Sequence, residues 1–104
     1  MKPGLGDALM EIRDVIILPH VLAKIEVKHN VKEHEVREVF ANNPFCRWWE
    51  RGHFRGEDVY IALGQTDSGR YLIVFFVYKL AKDALVISVR DMKRKERRQY
   101  ARTK

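Results

Sequence analysis

Gly69-Arg70-Tyr71-Leu72-Ile73-Val74-Phe75-Phe76-Val77-Tyr78-Lys79, then Leu80-Ala81-Lys82-Asp83, then Ala84-Leu85-Val86-Ile87-Ser88-Val89-Arg90-Asp91 is the stretch that decides the fold. Both flanks are rich in β-branched and aromatic residues, and the polar break at 81–83 is short enough for a hairpin. Arg70 to Lys79 is apolar on both faces, which predicts a central strand. Ala84 to Arg90 predicts its neighbour. Strict alternation places Leu85, Ile87 and Val89 inward and Val86, Ser88 and Arg90 on the opposite face. Asp91 is then placed to cap a helix over Met92 to Arg102. That helix has few apolar groups, so it should dock lightly and leave most of its surface open.

Working outward, Glu57 to Thr66 predicts a strand joined to Arg70 by the tight turn Asp67-Ser68-Gly69. Phe45 to Glu50 predicts another, followed by a Gly-containing loop from Arg51 to Gly56. Every link between these strands is hairpin-sized, so the sheet is expected to be an antiparallel meander. Pro19 to His29 and Lys32 to Asn42 predict two helices. Leu18, Leu22 and Ile25 form the apolar stripe of the first, and Val36, Val39 and Phe40 that of the second. Val15 to Leu18 reads as an edge strand or a core plug, and residues 1–13 as a loose leader. The expected architecture is α+β: one domain over 1–104, two N-terminal helices packed on a four-stranded antiparallel meander, and a basic C-terminal helix.

Bulk properties narrow the function. The net charge is +6. Lys93, Arg94, Lys95, Arg97, Arg98, Arg102 and Lys104 against Glu96 already make an excess of six, so the remainder is neutral. A basic segment on a neutral body suits a polyanion, or serves only as a solvated tail. No apolar run approaches the ~20 residues of a membrane span. No secretory h-region precedes Asp7 and Glu11. A single cysteine, Cys46, cannot form an intrachain disulfide framework and fits a reducing cytoplasm. Neither CxxC nor HExxH occurs, so no metal or other cofactor is expected.

Several segments, in order, resemble the BrnT family of toxins. They are Lys28-His29-Asn30-Val31 with Glu38-Val39-Phe40; Tyr60 to Thr66 with Ser68-Gly69-Arg70-Tyr71-Leu72; and Ile87 to Met92 with Glu96-Arg97-Arg98-Gln99-Tyr100. The resemblance covers roughly residues 19–102, whereas Trp48-Trp49 and the loop Arg51 to Arg55 depart from the pattern. It implies a RelE-like fold and a ribonuclease toxin of a type II toxin–antitoxin pair. It also implies a cognate BrnA-like antitoxin with a ribbon-helix-helix DNA-binding domain.

Metal-free RNA cleavage needs a base for the 2′-hydroxyl, a cation for the charged phosphorane and an acid for the leaving 5′-oxygen. The catalytic candidates are Arg90, Arg70 and Arg97 for phosphate, Glu57 and His29 for proton transfer, and Tyr100. Lys28, Lys93, Arg94, Arg98 and Trp49 are the candidate RNA contacts. In the meander Arg70 and Arg90 are expected near one sheet edge. Each has a plainer alternative. His29 caps or packs against a helix C-terminus, Glu57 pairs with Arg55 or Arg70, Tyr100 docks its helix, and Trp49 anchors the antitoxin instead of a base. Two other functions fit the same residues: a non-catalytic nucleic-acid-binding module using the basic helix, or a protein-interaction domain. The two-faced third strand suits a homodimer, a hetero-oligomer with the antitoxin, or merely a covered core.

Overall fold

The computed structural model describes residues 10–103. Its elements are β1 (Asp14–Ile16), α1 (Pro19–His29), α2 (Glu33–Ala41), β2 (Phe45–Glu50), β3 (Val59–Gln65), β4 (Tyr71–Tyr78), β5 (Asp83–Asp91) and α3 (Arg94–Ala101). They form an α+β fold around one sheet ordered β1-β5-β4-β3-β2. The four expected strands do make an antiparallel meander. A fifth strand corrects the expected count: β1 lies parallel to β5 at the edge, with Val15 opposite Ala84. The leader expected over 1–13 needs correction where it can be seen. Met10 and Ile12 pack on the core, and the Lys82 ammonium meets Glu11 at 2.8 Å. Residues 1–9 lie outside the described residues.

Two apolar layers sandwich the sheet. On one face α1 and α2 bury Val21, Ile25, Val31, Val36 and Val39 against Tyr60, Ala62, Leu72, Val74, Phe76, Val86 and Val89. Leu18 is not part of this stripe. It is the extended N-cap of α1 and is 41% exposed, and Val21 takes its place. Asn30 stops α1 in the left-handed region at φ 53°, where asparagine is tolerated. Gly64 lets α2 approach β3, since a Cβ there would stand 3.0 Å from the Val39 Cγ1. Cys46 is buried on this side, and burial pushes its thiol up to about 12, which leaves it unreactive.

The opposite face carries a smaller cluster of Ile61, Leu63, Ile73, Met92 and Tyr100, flanked by Phe45, Tyr71 and Phe75. Met92 and Tyr100 fasten α3 to it, while Arg94, Lys95, Arg97 and Arg98 stay exposed. Two bulges break the alternation that sequence periodicity assumes. In β5 the pairing passes from Phe75↔Ser88 to Phe76↔Val86, so Ile87 is the extra residue. Val86 and Val89 therefore both face the helical pair, whereas Ile87 is 40% exposed and Leu85 half-buried. In β2 the pairing passes from Trp48↔Tyr60 to Glu50↔Val59, so Trp49 is the extra residue. Asp91 is not the cap of α3. It remains in β5 opposite Leu72, and the N-cap is Lys93, whose N–H donates to the Glu96 carboxylate at 2.8 Å.

Candidate functional site

Arg70 and Arg90 both lie at the end of the sheet where β4 starts and β5 finishes, but on opposite faces. Arg70 turns toward the helical pair. Its Nε and Nη2 donate to the two Asp91 carboxylate oxygens at 2.8 and 3.1 Å. Its Nη1 donates to the Asn30 carbonyl at 2.9 Å and to Glu35 at 3.0 Å, and Nη2 also donates to the His29 carbonyl at 2.9 Å. All five N–H groups of the guanidinium thus meet protein acceptors. The Arg70 side chain ties the α1–α2 junction to β5. The Arg70 hydrogen bonds hold the Asp91 carboxyl below its ordinary range, with a smaller contribution from the nearby His29 charge.

Arg90 turns toward α3. It forms a fork with Glu96, Nη1 to Oε1 and Nη2 to Oε2, both 2.8 Å, and Nη1 also donates to the Asp91 carbonyl at 3.1 Å. Its guanidinium carbon stands 5.4 Å from the centre of the Phe75 ring. Nε and one Nη2 hydrogen have no acceptor among the described residues. Glu96 serves two partners, Arg90 and the Lys93 N–H, and the Arg90 hydrogen bonds lower its pKa most. Removing Glu96 would release a phosphate-sized fork and uncap α3 together.

Along α3 a groove of about 580 Å³ is lined by Gln65, Tyr71, Met92, Arg94, Arg97, Arg98 and Tyr100. A second hollow of about 530 Å³ continues it past Gln65 and Tyr100 to Asn42, Asp67 and Gly69. Arg97 lies over Tyr71, its guanidinium carbon 4.1 Å from the ring centre, and Tyr71 meets Tyr100 edge-on at 6.2 Å. Arg97 is therefore held against an aromatic face, which leaves its charge available to a polyanion. Tyr100 is 3% exposed and fastens the helix, consistent with the docking alternative.

The remaining expected residues are dispersed. Glu57 pairs with Lys79 at 2.9 Å, at the end of β3 remote from Arg70 and Arg90, and with neither Arg55 nor Arg70. His29 is half-buried at the end of α1 and offers its carbonyl to Arg70, and Lys28 is exposed beside it. Lys93 is the exposed cap of α3. Trp49 is 39% exposed on the α3 side of β2, edge-on to Phe75 at 5.6 Å, whereas the Trp48 indole donates to Asp58 at 2.9 Å. Sequence reasoning passed over Glu96 and Arg47. Glu96 could have been found as the single acid of the basic segment, three residues after Lys93 in capping-box spacing. Arg47 could have been found as a lone cation inside an aromatic strand.

No group of three or more His, Cys, Asp or Glu side chains that could hold a metal ion occurs among the described residues. No helix among them is long and apolar enough to cross a membrane. A search of curated proteins gave no match. The model of a protein family, described as the ribonuclease toxin BrnT of type II toxin–antitoxin systems, matches residues 23–96, from within α1 to the Glu96 partner of Arg90. With most of its length and the whole meander inside that match, the chain belongs to the BrnT family of ribonuclease toxins.

Proposed function

We propose that the chain is a cytoplasmic endoribonuclease that cleaves RNA without a metal, with Arg90 as the group that stabilises the scissile phosphate. The observation that carries this is the Arg90–Glu96 fork at 2.8 Å, set beside a helix whose exposed side chains are Arg94, Lys95, Arg97 and Arg98. A phosphate has the same planar pair of acceptors as the Glu96 carboxylate and can replace it on Arg90. The arginines of α3 would carry the flanking phosphates. Their contacts are sequence-independent and salt-sensitive.

In this reading the 2′-oxygen attacks phosphorus, the O2′–P bond forms and the P–O5′ bond breaks. A base takes the 2′ proton and an acid supplies one to the 5′-oxygen, giving a cyclic phosphate. Neither Glu57 nor His29 adjoins Arg90, so geometry favours a different carboxylate for the first transfer. Glu96 is in contact, and displacement from Arg90 removes the main cause of its lowered pKa. The same event would seat the phosphate and strengthen the base. Arg70, with every donor engaged, supports the reading as a fastener of the fold and not as a phosphate ligand.

A type II toxin implies a cognate antitoxin. A ribbon-helix-helix antitoxin that forms a hetero-oligomer with this chain, and covers the α3 groove, fits the proposal. The test is cleavage of single-stranded RNA in EDTA, with translating ribosomes added in a parallel series. Arg90→Ala is expected to lower cleavage by at least about 100-fold while the denaturation curve stays cooperative. Undiminished cleavage by a folded Arg90→Ala protein would falsify the assignment.

A further inference from the structure

The open half of the α3-side face carries a row of side chains that the groove along α3 does not use. Arg47 sits in mid-β2, in cross-strand register with Ile61, then Phe75, then Ser88. The Arg47 Nε is sealed from solvent and has no hydrogen-bond partner among the described residues. A sealed guanidinium N–H without an acceptor is costly, and native structures keep few of them outside functional sites. What Arg47 does meet is a ring: its guanidinium carbon is 5.8 Å from the Trp49 centroid.

Trp49 lies on this face by alternation with Phe45 and Arg47, at the point where the β2 bulge ends the regular pairing. The indole is held edge-on by Phe75, with an interplanar angle of 79°, and remains 39% exposed. Phe75 in turn lies beneath Arg90. The sheet from β2 to β5 therefore presents cation, ring, ring, cation. The last cation is the one assigned to the scissile phosphate.

The geometry points to a nucleotide subsite here: single-stranded RNA lays one base on Trp49, with its backbone running from Arg47 to Arg90. This deepens the reading of the chain as a ribonuclease acting at Arg90 and rests on it. The occupant follows from the chemistry of the row. An exposed indole stacks on any base with little regard to identity, and arginines at both ends match phosphates on either side. Duplex RNA keeps its base faces stacked inside the helix, so a single strand is required. An acidic protein segment would match the arginines but offers no ring face to stack on the indole.

The probe is a ten-nucleotide single-stranded RNA, 2′-O-methylated against cleavage, with one abasic position moved along it. Affinity is read by fluorescence anisotropy for wild type, Trp49→Ala and Trp49→Phe. One abasic position is expected to weaken wild-type binding about tenfold, and Trp49→Ala to weaken binding of the intact strand about tenfold. The two losses should not add, and Trp49→Phe should retain most of the affinity. A change that merely loosened the fold would lower every position alike. Additive losses at every position, or wild-type affinity in Trp49→Ala, overturn the subsite, and cleavage that still depends on Arg90 then leaves the ribonuclease reading standing. Loss of antitoxin binding in Trp49→Ala with RNA affinity unchanged overturns it in favour of a protein anchor. Absence of both RNA binding and RNA cleavage in the wild type overturns the subsite and the ribonuclease reading together.

Discussion

Arg70 and Arg47 stand on the two faces of one sheet and are treated in opposite ways. Arg70 meets Asp91, Glu35 and two helix-end carbonyls, and no donor is left over. Arg47 keeps a sealed nitrogen with no acceptor among the described residues and a tryptophan for company. Between these extremes Arg90 has one carboxylate partner, Glu96, on its fork. The same residue type has its fork filled by the fold in one place and left partly open in another. Residue identity alone cannot separate the two arrangements, because the Arg70 acceptors lie 21 to 41 positions away in the chain.

The comparison breaks first on stability. Arg70→Met is expected to cost about 3 kcal/mol, since it strands Glu35 and two carbonyls without their donor. The Asp91 arm contributes least, because 61% of that side chain is exposed. Urea denaturation reads the loss, and for a chain of this size the Tm should fall by roughly 12–24 °C. Arg47→Gln, by contrast, should leave stability within about 0.5 kcal/mol of wild type. A comparable drop in both variants would erase the distinction.

Glu96→Gln sharpens it next. The variant loses the charge-assisted fork and weakens the α3 cap, for a cost of about 1 kcal/mol. Binding of a non-cleavable RNA should tighten several-fold because Arg90 is released, while cleavage falls if Glu96 is the base. Unchanged affinity would show that the fork does not compete with phosphate.

Acid then separates wild type from that variant. Glu96 and Asp91 have folded pKa values below their ordinary 4.5 and 3.8. Their contribution is complete above those ordinary values and is lost as pH falls through the folded ones. The urea midpoint of wild type should therefore drop as pH passes below about 4.5, and Glu96→Gln should show a shallower drop. Parallel curves would mean that the Arg90 pair adds nothing to folding.

The smallest effect belongs to the groove. Arg94→Ala should weaken RNA binding a few-fold for every sequence and reduce the slope of log affinity against log salt by about one. An unchanged slope would place the strand elsewhere.

Much of the frame was legible because local chemistry agreed with tertiary packing. Pro19 and Asn30 bracket α1 at the expected residues, and β2 runs over the expected Phe45–Glu50. The apolar run of β4 does mark a strand covered on both sides. The failures have one cause, long-range pairing. β1 is too short to announce that it will join β5, 69 positions later. The bulges at Trp49 and Ile87 leave no mark in an alternating pattern. At the site, the arginines were visible and their partners were not. Arg90 and Arg70 appear equivalent in the chain, and only the fold sends one to Glu96 and the other to Asp91. Glu57 was the opposite error: its chemistry suits a base, but β3 runs away from Arg90 and delivers it to Lys79.

The parallel pairing of β1 with β5 also sets an order of events during synthesis. Among the described strands the earliest in the chain pairs only with the latest, and the latest carries Arg90. β1 therefore stays unpaired until a strand 69 positions further along has been added, a contact of high sequence separation and slow closure.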